Sequence, residues 1–306
     1  MTAIDAQRTA SQKGSRTTLE KVQYTAEIVA LSLERRKKMH AGSKGIVLVT
    51  GASSGIGAIY ADRLAHRGHD LILVARNQQR LDALAERLTN DTGNSVEAVV
   101  ADLNNGKDLG RVEQLLRRNP QIAMLVNNAG VGAVTPFLQT DVDEIDEMIR
   151  LNVRALTRLA FAAAPRFVAR GGGTIVNIAS VLGIAPELLN GVYGGTKAFV
   201  IALSLSLHKE LADKNVRVQV VLPGATATDL WEKAGKPVEQ LPNEIVMRAD
   251  DMVDAALVGL DEGELITIPS LPDAADWDAY EAARQKLIPN LSHNFPAGRY
   301  QIHAME

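Results

Sequence analysis

The chain has 306 residues, 46% of them hydrophobic, enough to bury a sizeable core. With 33 basic against 36 acidic residues and a net charge of −3, whole-chain electrostatics argue against nucleic acid or an anionic membrane as the main partner. The absence of cysteine excludes a disulfide framework, a thiolate nucleophile and a cysteine-ligated metal, and makes a reducing, cytoplasmic compartment the expectation. No apolar run reaches the roughly 18 residues of a membrane span, and the start lacks the basic-then-apolar order of a secretory signal, so neither a membrane nor export is expected.

Residues 1–43 read as a basic N-terminal extension: nine basic residues against four acidic ones precede position 45, leaving the remainder acidic. Leu19, Val22, Tyr24, Ile28, Leu31 and Leu33 have loose helical spacing and predict one amphipathic helix. A competing reading makes residues 1–38 a dispensable upstream segment. From residue 44 to 306 a single domain is expected, because short β-branched runs alternate with helical periodicity, the pattern of a parallel sheet covered on both faces. The predicted strands are Ile46–Thr50, Asp70–Ala75, Ser95–Ala101, Ala123–Asn127, Thr174–Ala179, Arg217–Leu222 and Leu265–Ile268. Helices are predicted near 56–67, 77–91, 108–118, 141–169, 191–213 and 249–260, with another over 271–289 carrying Trp277, Tyr280 and Leu287 on one face. The fold class is therefore α/β, doubly wound, with seven parallel strands. Right-handed crossovers place the loops after the strands' C-terminal ends on one rim, where ligands bind.

The first strand ends in Thr50-Gly51-Ala52-Ser53-Ser54-Gly55-Ile56-Gly57 and a helix follows. Gly51 permits a tight turn, Gly55 lets the backbone approach a diphosphate, and Gly57 lets the helix lie close to the sheet. Free N–H groups at the helix start then face an anion. The spacing Gly51-x3-Gly55-x-Gly57 resembles the fingerprint of short-chain dehydrogenases, and later motifs agree. Asp102-Leu103 resembles that family's adenine contact, and Asn127-Asn128-Ala129-Gly130 its sheet-stabilising, cofactor-contacting turn. The resemblance implies a Rossmann-type fold and a nicotinamide dinucleotide held by Gly51, Ser53, Ser54, Gly55, Ile56, Gly57, Asp102, Leu103, Asn128, Ala129 and Gly130.

The end of the second strand chooses the cofactor, since an acidic residue there accepts from the ribose 2′-hydroxyl and repels a 2′-phosphate. This strand ends Val74-Ala75-Arg76-Asn77: Ala75 stands at the family's acidic position and Arg76 offers a bidentate contact to phosphate. NADP(H) is expected, with NAD(H) as the lesser option, and Arg80 one turn on could serve as phosphate reader or helix-flank residue.

Carbonyl reduction needs a proton donor beside the carbonyl oxygen, and alcohol oxidation the same group in reverse. In Tyr193-Gly-Gly-Thr-Lys197 a phenol and an ammonium four residues apart share one helix face, so the cation is expected to lower the phenol pKa from its usual value of about 10. The family resemblance implies that Tyr193 is the general acid/base. It also implies that Lys197 lowers its pKa and binds the nicotinamide ribose, that Ser180 orients substrate, and that Asn152 kinks its helix and seats a water. Gly194-Gly195 departs from the family's bulkier pair and is expected to loosen the helix start.

Pro223-Gly224-Ala225-Thr226-Ala227-Thr228 resembles the turn whose threonine, here Thr228, holds the nicotinamide carboxamide. A lid is predicted at about 225–248. Val181–Leu189, Leu230, Trp231 and Val131–Val134 would form apolar pocket walls without a cationic grip, so an uncharged carbonyl or alcohol substrate is expected. No metal site is read, and the resemblance implies a homodimer or homotetramer. The rival function is an NADP(H)-binding sensor without turnover, which would be expected to lose the tyrosine or lysine.

Overall fold

The computed structural model describes residues 44–300, and the helix expected within residues 1–43 lies outside them. Seven strands form one sheet: β1 (Ile46–Thr50), β2 (Asp70–Ala75), β3 (Val96–Val100), β4 (Ile122–Asn127), β5 (Gly173–Ile178), β6 (Val216–Val221) and a last strand at Ile266–Thr267. Their order is β3-β2-β1-β4-β5-β6-last, and every neighbouring pair is parallel. The chain thus builds outward from β1 in one direction and restarts on its other side with β4. The switch point between β1 and β4 opens a crevice at the strands' C-terminal ends.

Alternation along each strand divides the core in two. Ile46, Leu48, Ile72, Val74, Ile122, Leu125 and Ile175 pack on one face, whereas Val47, Val49, Leu71, Leu73, Val126 and Val176 pack on the other. Helix α1 (Gly55–His66) covers the second face with Gly57, Tyr60, Ala61, Leu64 and Ala65, a clean i, i+3, i+4, i+7 stripe. α2 (Gln78–Thr92) adds Leu81, Ala85 and Leu88 to that face and starts at Asn77, whose side chain accepts from the Arg80 N–H. α3 (Gly106–Arg118) lies on the first face, and its buried Glu113 is held by Arg158 from the opposing helix.

The helix expected over 141–169 is not continuous. It consists of α4 (Val142–Ile149), a turn of π-helix at Arg150–Ala155, and α5 (Leu156–Ala169). One extra residue per turn there interrupts the regular ladder and aims Asn152 at the crevice. α6 (Gly191–Leu211) follows β5, capped by the Asn190 side chain, which accepts from the Val192 and Tyr193 N–H groups at 3.0 and 3.1 Å.

The expected lid has a pinned base. Strand β7 (Thr226–Ala227) pairs in parallel with β8 (Met247–Arg248), and the segment between them carries only the short helix α7 (Leu230–Lys233) and two single 3₁₀ turns. After α8 (Ala249–Glu262) comes the last strand, β9 (Ile266–Thr267). Among the described residues, those through Pro269 form one compact unit, and those from Ser270 form a second. Within that second unit, α9 (Ala274–Leu287) occupies the region expected to be helical. Its Trp277 and Tyr280 rings are in contact at 5.1 Å between centroids. Among the described residues no helix is long and apolar enough to cross a membrane.

Candidate active site

The glycine turn sits at the switch point and is fixed from β4. Thr50 Oγ1 accepts from the Asn128 and Ala129 N–H groups, both at 3.0 Å, and Asn128 Nδ2 donates to the Thr50 carbonyl at 2.9 Å. Gly51 and Gly55 have φ of +68° and +53°, where a side chain is strained. A Cβ on Gly57 would lie 2.4 Å from both the Gly51 carbonyl oxygen and Asn128 Nδ2. Gly57→Ala is therefore expected to destabilise the protein by about 2 kcal/mol through overpacking, lowering Tm by about 4–8 °C. A thermal melt with unchanged Tm would show that the turn can relax.

Gly51, Ser54, Gly55, Ile56, Asn128, Ala129, Gly130 and Thr228 line one cavity of about 160 Å³. Sequence reasoning missed Asp229 and Lys233 on the same wall, because the approach of the segment after β7 to the glycine turn is not written in local periodicity. Ser54 precedes α1 with extended backbone and makes no side-chain bond to the helix start, so the first N–H groups of α1 are left for a ligand. Ser53 flanks this turn, half-buried. A positive-φ turn at an uncapped helix start, with no Cβ at Gly51 or Gly55, fits a dinucleotide diphosphate.

Other expected contacts lie further out. Arg76, just past β2, is exposed and makes no hydrogen bond or ion pair with the described residues. Asp102 accepts from the Asn104 N–H at 2.9 Å, a turn-capping role that leaves its second oxygen open. Leu103 is buried in the first core cluster, so its side chain packs the sheet, and only its backbone could reach a ligand. Pro223 and Gly224 follow β6, and the Pro223 carbonyl accepts from Val181 N–H at 3.0 Å, tying the two rim loops together.

Asn152, Ser180, Tyr193 and Lys197 are each at most 9% exposed, and Asn152 and Lys197 meet beside Gly130. A Cβ on Gly130 would stand 3.0 Å from Asn152 Oδ1 and 3.6 Å from Lys197 Nζ, so the glycine makes room for both. Lys197 Nζ lies 5.7 Å from the Tyr193 ring centroid and donates to the Ile178 carbonyl at 2.9 Å. Asn152 accepts from Val131 N–H and donates to the Val131 carbonyl and Thr196 Oγ1, at 3.0, 2.9 and 3.1 Å. Both of its amide hydrogens are thereby used, which pins the loop after β4 to α6. Thr196, not anticipated from sequence, donates in turn to the Tyr193 carbonyl at 2.8 Å.

The electrostatics run against the simplest expectation. Burial pushes the Tyr193 phenol up to about 12, with a hydrogen bond to Ser180 working the other way, and burial brings the Lys197 ammonium down to about 8. In the protein without ligand, desolvation of both groups outweighs the attraction that the one-face spacing suggested. A phenol in that state is protonated throughout the neutral range and is a ready proton donor.

Gly194 has a packing reason. A Cβ there would meet Pro186 Cβ at 2.6 Å and the Leu182 carbonyl oxygen at 2.9 Å, so its absence lets the 181–189 segment press against the tyrosine helix. Gly195 is exposed with open space around it, and only there is helix propensity lost without compensation. Among the described residues no cluster of His, Cys, Asp and Glu could hold a metal ion.

Comparison with known proteins agrees with this architecture. Residues 45–239 match the model of the short chain dehydrogenase family. A short-chain dehydrogenase from Sphingobium yanoikuyae, solved in complex with NADPH, is 53% identical over 84% of this chain and all of that one, with a TM-score of 0.81. A bulky-bulky ketone specific alcohol dehydrogenase from Comamonas testosteroni is 46% identical, covers 84% of this chain and 99% of its own, and has a TM-score of 0.78. An uncharacterized oxidoreductase of Staphylococcus epidermidis is 36% identical over 61% of this chain and 80% of its own. The glycine turn, the parallel sheet and the family match together make this chain a member of the short-chain dehydrogenase family of oxidoreductases.

Proposed function

We propose that the protein reduces an uncharged ketone at the expense of NADPH, with Tyr193 as the proton donor. The observation that carries this reading is a buried, protonated phenol bonded to Ser180, with the buried Lys197 ammonium 5.7 Å from its ring and next to Gly130, a residue that also lines the cavity at the glycine turn. The dinucleotide would be held by Gly51, Ser53, Ser54, Gly55, Ile56 and Gly57 at its diphosphate. Arg76 and Asp102 would serve the adenosine half, and Asn128, Ala129, Gly130, Pro223, Gly224, Thr228 and Lys197 the nicotinamide half. When bound, the nicotinamide supplies the hydride.

The chain's own residues do the rest. Ser180 holds the carbonyl oxygen so that the Tyr193 O–H points at it, and the phenol gives up its proton as negative charge builds on that oxygen. Lys197 then compensates the phenolate with its ammonium. Asn152 and Thr196 act as positioning residues that hold the tyrosine helix against the β4 loop. With both side-chain hydrogens of Asn152 committed, a water on the proton path would have to be held by the backbone that the π turn releases.

The ketone reading also draws on the pocket walls. Val131 and Leu230 give the cavity wall apolar surface, the one cation lining it, Lys233, stands beside the Asp229 carboxylate, and the Comamonas enzyme is described as specific for bulky-bulky ketones. Conversion of ketones with large groups on both sides, followed by NADPH absorbance, tests it; turnover of none in a broad ketone and aldehyde panel would overturn it. A cytoplasmic homodimer or homotetramer is part of the same proposal, as is one dehydrogenase domain over residues 44–306.

A pH profile follows from the two buried groups. The phenol stays protonated up to about 12, so Tyr193 does not limit reduction near neutrality. Lys197, lowered to about 8, loses its charge as pH rises through that value. The rate of ketone reduction should be flat below pH 7 and fall as pH passes about 8, tenfold per unit at most. A profile that instead rises through pH 8 would show that phenolate formation, not lysine charge, governs the step.

A further inference from the structure

Arg80, on the first turn of α2, reaches across to the base of the lid. Its Nη1 donates to Asp229 Oδ2 at 3.2 Å, joining residues 149 positions apart, and both side chains are about half exposed. Asp229 directly follows Thr228, opens the lid helix α7 and lines the cleft cavity with Gly51, Ser54 and Gly55. No other basic side chain pairs with Asp229 among the described residues, and Arg76, four residues before Arg80, has no partner there at all. One guanidinium on the first turn of α2 is therefore paired with a carboxylate of the segment after β7, while the arginine four residues earlier in the chain is unpaired.

We propose that Arg80 is a second reader of the 2′-phosphate and that Asp229 holds it until that phosphate arrives. A 2′-phosphorylated dinucleotide would then exchange the ion pair and release the lid base, whereas an unphosphorylated one would leave it closed. The inference rests on the proposal that the cleft takes a nicotinamide dinucleotide. Its physical basis is a competition of anions. An exposed carboxylate pair is weakly held, whereas a phosphate brings a charge of about −2 and three strong acceptor oxygens that Arg76 would share. Because the Arg80 guanidinium leaves Asp229 when it turns to the phosphate, binding and unlatching are one event.

The test uses the full chain and its Asp229→Asn, Arg80→Gln and double variants. Dissociation constants for NADPH and NADH are measured by titration, and hydrogen exchange is followed over residues 229–248. Asp229→Asn is expected to bind NADPH about 3–10-fold tighter and NADH unchanged, and Arg80→Gln to bind NADPH about tenfold more weakly. Asp229→Asn should add nothing in the Arg80→Gln background, the non-additivity that marks a shared partner. NADPH should speed exchange at the lid base of the unaltered protein relative to NADH, and that difference should vanish in both single variants. If Asp229→Asn tightens NADPH equally in both backgrounds, Asp229 acts by direct repulsion and the exchange is overturned. It is overturned too if NADPH and NADH protect the lid base alike, or if the four NADPH constants coincide. Binding of neither dinucleotide by the unaltered protein would instead remove the cofactor reading itself, and the exchange with it.

Discussion

Tyr193→Phe is expected to cost about 10³-fold or more in ketone reduction while leaving NADPH affinity within about twofold. The phenol is bonded to Ser180 and its ring lies 5.7 Å from Lys197 Nζ, and its removal deletes only an oxygen whose partner is the Ser180 hydroxyl. The ring stays, so the packing of α6 and the Tyr193 carbonyl's bond from Thr196 persist. Single-turnover rates and equilibrium binding measured on the same preparation separate the two effects. Residual turnover above about a tenth of the original would mean that another group donates the proton, and the mechanism would have to be rebuilt around Ser180 or a water. Loss of NADPH binding together with turnover would point to a structural role for the phenol instead.

Arg76→Ala is expected to weaken NADPH about 10–100-fold and to leave NADH within about twofold, because a charge-assisted contact to phosphate is worth about 1.5–3 kcal/mol. The side chain is exposed and makes no bond to the described residues, so its removal should shift stability by no more than about 0.5 kcal/mol. A parallel loss for both dinucleotides would show that Arg76 acts on the adenine or the diphosphate rather than on the 2′-phosphate. Equal affinity before and after would place the discrimination elsewhere, with Arg80 on the first turn of α2 the next cation along the chain.

These two predictions differ in how far the residues themselves foretold them. The spacing of Tyr193 and Lys197 on one helix face was enough to pair them, and the structure puts Lys197 Nζ 5.7 Å from the ring. What the spacing could not give was the sign of the phenol's shift. The expected lowering came from considering the neighbouring charge alone, whereas burial of both groups in the folded protein raises the phenol and lowers the ammonium. Desolvation depends on every element packed around a group, and no local window of sequence contains it. Leu103 makes the same point. Its position after β3 suggested a ligand contact, and the fold gives its side chain to the core cluster beneath, leaving the backbone for that role.

The chain by itself determined the strand runs, the parallel sheet, the glycine turn and the order of rim motifs, since period-two and helical hydrophobic patterns and glycine requirements are local properties. Its helix over 141–169 was legible as helix, but not as two helices joined by a π turn that aims Asn152 at the crevice. Only the tertiary structure decided that Asn152 spends its amide on Val131 and Thr196, and that Asn127, Asn177 and Ser204 form a buried hydrogen-bonded row behind the site. It also decided that Arg80 reaches Asp229 in the segment after β7. Each of those contacts joins residues 21 to 149 positions apart. Such pairings arise because closing the sheet brings distant rim loops together, and buried polar groups must then find partners among whatever the fold places beside them.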